Sequence, residues 1–569
     1  MLDEVLFEQH ERLLKEIASI GAVDRVILLT KQSGSSLEDP LLMENYEVLI
    51  LPNLSRARIR EIAALMCNTG DEDFVSAVVE KTYTDLLQLC IPLTPANVLM
   101  YISILQKEGD FSPLSKLQIM DRYIKDVLRR PSDAYLGSFN IDNKLDVLSG
   151  FVASLFSEGR TVFTMPDWNA FCDAYMKRVI VNFDKSALLA DLTGSKFIQN
   201  QSGEYHFKYK LFYSYFLGRH VANRPKELAK FLDNNLHLNV DGLVEVISGL
   251  SADNTALVEN LTEKLENSIK HFYGHYDLRD FDPVADFEWK LSLEEEQKTW
   301  DAVATSLQAG PTSSAELDKL KTSVMAERRT DNQFVIIRDF NLLERSLLDN
   351  KAEVITAISN AVDIEGELKL RAVRAIVEAY TLIYRLGFVF APAIASRRYF
   401  MWNDIAFVNK IAVTSNEDEN HLQNVNKIAS AIPRAVTEKA ADEFGSRKLG
   451  EVFKYLLSEE TPKDFQLYVL FCLLIRAKPH KWGPTAENVI NNIDRRALYL
   501  KYMLGGSMSQ FHDNVNTNFE RGLLKRIVAR IHVKRGQGKA APGEKAVNRM
   551  LAKLEDGHTF SQGDPTIEG

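Results

Sequence analysis

Gly203-Glu204-Tyr205-His206-Phe207-Lys208-Tyr209-Lys210-Leu211-Phe212-Tyr213-Ser214-Tyr215-Phe216-Leu217-Gly218 changes its period part-way along. Phe207 and Tyr209 alternate with basic residues as in a strand, and Leu211, Phe212, Tyr215, Phe216 and Arg219 then adopt helix spacing. The stretch predicts the second strand of a small hairpin that runs straight into an aromatic-rich helix. That geometry makes it a candidate hinge between the segments on its two sides.

Working back, residues 196–207 read as two short strands around a polar turn. Three helices are predicted before them, at about 143–158, 166–179 and 184–193. Three short helices followed by a hairpin is the layout of a winged helix. An amphipathic helix from Leu114 to Arg130 precedes this block, carrying Leu117, Met120, Tyr123, Ile124, Val127 and Leu128 on one face. Upstream again, Thr94-Pro95 is an N-cap and N1 pair for a helix from Ala96 to Lys107. Two more helices span the region from Pro52 to Cys90.

The N-terminal stretch differs. A helix over residues 3–20 leads to Asp24-Arg25-Val26-Ile27-Leu28-Leu29-Thr30-Lys31, which suits a buried parallel strand with a functional loop at its carboxyl end. Only Glu47-Val48-Leu49-Ile50-Leu51 offers it a partner. Two strands are too few for a covered parallel sheet, so this reads as the remnant of an α/β domain.

Downstream the chain is helical at Pro225–Asp233, Asp241–Gly249 and Asn254–Phe272. Residues 276–330 are acidic and broken by Gly310-Pro311. Long helices return over 336–475 without a fixed repeat period. In the tail, Leu523, Leu524, Ile527, Val528 and Ile531 predict an amphipathic helix with its Lys and Arg residues on the solvated face.

At 569 residues the chain exceeds one core, and at roughly 100–200 residues per domain it holds about three or four. A net charge of −10 argues against a generic nucleic-acid or anionic-membrane surface. Cys67, Cys90, Cys172 and Cys472 form no CxxC pair, which points away from a disulfide scaffold or zinc ribbon. There is no signal-peptide pattern at Met1-Leu2-Asp3-Glu4 and no long uncharged apolar run, so a soluble, cytoplasmic protein is expected.

The ordered set resembles the second half of a NACHT-type STAND NTPase, the class of NOD-like receptors and bacterial anti-phage sensors. It comprises the strand ending in Thr30-Lys31, the Leu54-Ser55-Arg56 helix pair, Pro92-Leu93-Thr94-Pro95, the winged-helix block and Phe207-x-Tyr209-x-x-Phe212-x-x-Tyr215-Phe216-Leu217-Gly218. The resemblance covers about residues 1–235. It implies that Thr30 or Lys31 approaches a nucleotide γ-phosphate and that Pro92 and Pro95 pack beside the adenine. It also implies a β-phosphate contact where the family often has a histidine. Here Tyr209 holds that position and His206 falls on the other face, so the Tyr209 hydroxyl, Lys208 or simple packing takes its place. Phe207, Phe212, Tyr215 and Phe216 are the expected coupling residues.

One absence is decisive. The sequence holds no G-x-x-x-x-G-K-[ST], and no apolar strand ending in paired acids precedes residue 24. Gly194-Ser195-Lys196 and Gly538-Lys539 lack the spacing. No catalytic residue is assigned, no cofactor is expected for the isolated chain, and ATP or ADP with Mg²⁺ would require a P-loop half supplied elsewhere.

Other constellations carry less. His271 and His275 stand at i, i+4 but lack an intervening glutamate and flank Gly274, so no metal site is assigned. The third helix of the winged-helix block has Lys185 as its sole cation beside Asp184 and Asp191, which is poor for phosphate contact.

The expected fold is mainly α: a partial α/β remnant over 1–52, a helical lid over 53–109, a winged-helix domain over 110–222 and a helical connector over 223–275. An acidic linker over 276–330, a helical sensor array over 331–520 and a basic helix with a flexible tail over 521–569 complete it. The expected function is the regulatory and ligand-sensing half of a STAND-type signalling or defence protein. Its expected partners are a protein ligand on the array, an N-terminal NTPase or effector half, and further copies of itself on activation. Membrane and nucleic acid are not expected. The alternative is a winged-helix DNA-binding regulator with a helical effector domain.

Overall fold

A computed structural model describes residues 54–68, 72–88, 93–107, 116–128, 140–194, 197–201, 203–208, 210–240, 242–251, 253–276, 278, 343–361, 363–395, 399–402, 405–408, 418–459, 464–492, 518–536 and 543–555. The chain divides into two compact units, 1–54 and 55–569. The expected remnant over 1–52 and the expected linker over 276–330 lie outside the described residues, apart from Tyr276 and Leu278. The described chain is mainly helical, with 19 α-helices.

In the larger unit, α1 (Arg56–Cys67) starts where Ser55 accepts a bond from the Arg58 amide. It packs on α2 (Glu72–Gln88) and α3 (Pro95–Lys107). Next comes α4 (Lys116–Leu128), whose buried stripe is Leu117, Met120, Ile124 and Leu128.

The following block is mixed. α5 (Ile141–Glu158) opens on an Asn140 cap and closes at Gly159, whose φ of 69° is the left-handed cap that glycine favours. β1 (Val162–Thr164) follows, and Thr164 doubles as the N-cap of α6 (Met165–Val179) in a capping box with Asp167. After α7 (Lys185–Gly194) come β2 (Ile198–Gln201) and β3 (Glu204–Phe207). Their tight turn passes through Gly203 at φ 91°, and Asn200 Oδ1 accepts the Gly203 amide at 3.0 Å. The three strands form one antiparallel sheet in the order β1-β3-β2, with Phe163 opposite Tyr205 and Ile198 opposite Phe207.

The sequence predicts the hairpin and the three helices but not β1. Three residues are too few for an alternation to register. Its central Phe163 is fully buried and meets Phe151 of α5 at 4.8 Å, edge to face. Trp168 joins the same cluster, and its Nε1 donates to the Lys185 carbonyl at 2.9 Å, tying α6 to α7.

After β3 comes α8 (Lys210–Ala222), which packs against α5 on one side and α10 (Leu243–Leu250) on another. Between them lie α9 (Pro225–Asp233) and a 3₁₀ turn, Leu236–Asn239. α11 (Thr255–Tyr276) continues past the expected end at Phe272 and through the exposed Gly274, because the buried Phe272 and Tyr273 hold that turn in the core.

α12 (Leu343–Asn360), α13 (Gly366–Ala395) and α14 (Asp418–Phe444) build the second half with α11. β4 (Tyr399–Trp402) and β5 (Ile405–Val408) form a hairpin between α13 and α14. α13 is apolar enough over Gly366–Pro392 to cross a membrane, with mean hydropathy 1.3, yet 67% of that window is buried, as in the core helix of a bundle. α15 (Gly450–Glu459), α16 (Asp464–Ala477) and α17 (Trp482–Asn492) pack on one another, and α18 (Asn518–Gly536) with α19 (Glu544–Glu555) closes the chain. In this half, Tyr384 of α13 stacks on Phe465 of α16 at 3.9 Å with the planes 6° apart.

One polar set, with Lys351 and Tyr380 buried and Glu443 reaching solvent, fastens three of these helices. Lys351 of α12 donates to Glu443 of α14 at 2.6 Å and to the Tyr380 hydroxyl of α13 at 3.2 Å, while Tyr380 donates to Glu443 at 2.6 Å. Burial acts to raise the Glu443 carboxyl, but the Lys351 ammonium and the converging hydrogen bonds prevail and hold it at about 2.

Candidate functional site

α8 is encased. From Phe212 to Leu217 no residue is more than 1% exposed. Phe212 meets Phe197 at 4.4 Å, and Phe216 lies 5.9 Å from Phe207 and 6.4 Å from Phe197, so β3 and the segment just before β2 are clamped to the helix by aromatic rings. The Tyr213 hydroxyl donates to the Arg160 carbonyl at 3.1 Å, between α5 and β1. The Tyr215 hydroxyl donates to Asp121 of α4, whose carboxylate also holds Lys125. Burial, reinforced by Asp121, pushes the Tyr215 hydroxyl well above its ordinary value and keeps it a neutral donor.

On the far side Gly218 lets α10 approach closely, since a Cβ there would lie 2.4 Å from Val246 Cγ1. Arg219 reaches Asp146 of α5 at 3.7 Å. Next to it, His220 is held at about 4, first by burial and then by the Arg224 cation; Arg178 of α6 adds to this and Glu227 of α9 opposes it. α8 thus touches α4, α5, the sheet and α10, and α10 in turn packs on α12.

Of the expected coupling residues, Phe207 is 8% exposed and Phe212, Tyr215 and Phe216 are fully enclosed in this junction. On β3, Tyr205 stacks on Phe163 at 5.5 Å, so Tyr205 and Phe207 share the inner face and His206 takes the other, as strand alternation dictates. Burial lowers the His206 imidazole below its ordinary value. Thr30, Lys31, Pro92 and Tyr209 lie outside the described residues. Pro95 is exposed at the first turn of α3, where Thr94 accepts the Asn97 amide at 3.3 Å. Its observed role is helix initiation.

Two surfaces weighed for nucleic acid have charges paired within the chain. Lys185 of α7 is held by Asp173 at 2.6 Å, and Asp191 by the buried Lys144 of α5 at 2.9 Å. The cations of α18 do not all stand on a solvated face as its sequence predicts. Arg530 is only 3% exposed and sits between Glu487 of α17 and Glu544 of α19, and Arg526 pairs with the same two carboxylates. Sequence reasoning missed this because the neutralising partners lie on other helices. Cys172 and Cys472 are buried free thiols, and burial pushes Cys172 up to about 12. No protein-family model matches the chain, and no curated relative matches it.

Proposed function

We propose that this chain is the regulatory and ligand-sensing half of a STAND-type signalling protein, with a winged-helix unit whose movement is coupled through α8 to a helical array. The observation that carries this reading is the helix that follows β3, enclosed by both halves. The order α5-β1-α6-α7-β2-β3, with the sheet order β1-β3-β2, supports the winged-helix reading. The enclosed helix then meets α10, which leads to α12. A ligand on the array would displace α10 and α8 together and so loosen the winged-helix unit, a bistable packing acting as the switch.

The sequence has no P-loop of its own, so nucleotide chemistry belongs to a partner half. The DNA upstream of the Met1 codon tests this. A fused or adjacent reading frame ending in a P-loop and an acidic strand is expected, and an upstream frame lacking both would overturn the proposal. Calorimetry on the isolated chain gives a second test, with no ATP turnover expected and no tight ADP binding.

The DNA-binding alternative is weakened by the pairing of Lys185, the one cation of α7, with Asp173. Tight, sequence-dependent mobility shifts at physiological salt would restore it.

A further inference from the structure

We infer that the segments joining α14 to α15 and α16 to α17 form a docking surface for the phosphate backbone of a nucleic acid. The first, residues 445–450, carries Arg447 and Lys448, and the second, residues 476–481, carries Arg476, Lys478 and Lys481. Neither holds an acid, in a chain whose net charge is −10. The two segments lie against each other. A Cβ on Gly450 would fall 2.9 Å from Pro479 Cβ, one on Gly445 would fall 2.9 Å from Arg476 Cβ, and Lys454 of α15 donates to the His480 carbonyl at 3.1 Å. Cations from two parts of the sequence are thus gathered at one end of the four helices.

Arg447, Lys448, Arg476 and Lys481 are exposed. Among the described residues, Arg447, Lys448 and Lys481 pair with no carboxylate. Arg476 reaches Asp442 at 3.6 Å and Lys454 reaches Glu451 at 3.3 Å, but these acids are 74% and 64% exposed, so the pairs hold their cations weakly. Helix ends do not account for the charges. Each segment joins a helix C-terminus, which favours cations, to a helix N-terminus, which disfavours them. Lys478 and Lys481 also adopt left-handed backbone, at φ 50° and 57°, where glycine or asparagine costs less. The fold alone would be better served by other residues.

The apolar residues of the two segments, Leu449, Ala477 and Pro479, are buried. A membrane or an amphipathic protein partner would need an exposed apolar anchor there, and protein interfaces are depleted of lysine. Cations without anchors fit a ligand held through regularly spaced charge, which a phosphodiester chain provides. Binding here requires no partner half and no switch.

Fluorescence anisotropy of the full chain with a short labelled single strand and a short duplex, from about 50 to 200 mM salt, tests this. Binding of micromolar order to at least one of them is expected, indifferent to base sequence and falling steeply with salt. Arg447→Gln with Lys448→Gln and Lys481→Gln should weaken it about tenfold or more and flatten the salt slope by about one unit per lost contact. The thermal melt of this triple variant should be unchanged, because all three side chains are exposed. Arg447→Lys, and Lys226→Gln on α9, should bind as the parent does. Absence of binding by both nucleic acids, equal binding of polyglutamate or of phosphatidylserine vesicles, or undiminished affinity in the triple variant would overturn the inference.

Discussion

Gly218 of α8 and Val246 of α10 meet where no atom can be added, a Cβ on the glycine falling 2.4 Å from Val246 Cγ1 and 2.7 Å from its Cβ. Gly218→Ala should therefore cost about 1–3 kcal/mol, the usual range for overpacking. Val246→Ala in the same chain should recover part of it, read by denaturant melts as a double-mutant cycle. Gly274→Ala provides the contrast. That glycine is exposed inside α11 with nothing within 4 Å, so alanine should stabilise by about 0.5–1 kcal/mol.

Phe216 is 0% exposed and touches rings from β3 and from the segment before β2. Phe216→Ala should destabilise by about 3–5 kcal/mol. A neutral thermal melt would remove α8 as the element joining the two halves. Phe212→Leu, which keeps an apolar group, should cost less than Phe216→Ala.

Glu443 exemplifies a charge that cannot be removed alone. Glu443→Gln leaves Lys351 buried without its counter-charge, and the expected cost is about 1–3 kcal/mol, less than for a wholly buried pair because the Glu443 side chain is 35% exposed. The carboxyl is held at about 2 against an ordinary 4.5. Its contribution is therefore complete above pH 4.5 and is lost as pH falls towards 2. Melts of the parent should show this acid limb, and melts of Glu443→Gln should show it reduced.

His220 acts at milder pH. With its imidazole held at about 4 against 6.5, the folded chain keeps it neutral. The stabilisation is present above pH 6.5 and is lost as pH falls towards 4. His220→Gln should flatten the melting temperature between those values. Unchanged pH dependence would contradict the assignment.

How much of this is legible in the sequence depends on the range of each interaction. The period change between Phe207 and Phe212 is local, and it announces both the hairpin and the buried helix. Val162 to Thr164 leave no such mark, because a three-residue strand has no period and because Thr164 belongs equally to the strand and to the cap of α6. Arg530 reads as solvated because the Glu487 and Glu544 carboxylates that bury it come from other helices. The register that sets Arg371 on Glu266 is beyond reach for the same reason, since the two stand 105 residues apart in the chain. Spacing reveals which face of a helix is apolar, but not what will meet its charges.

A helix with no wet side has no soft direction in which to yield. Because every residue from Phe212 to Leu217 is enclosed, α8 cannot roll or slide by a fraction without opening a void against one of its neighbours. Its amides should exchange hydrogen only in the largest openings of the molecule, among the slowest of the chain. Any signal crossing this junction must therefore pass as a discrete jump between two packed arrangements, and a weak push on one half leaves the other where it was.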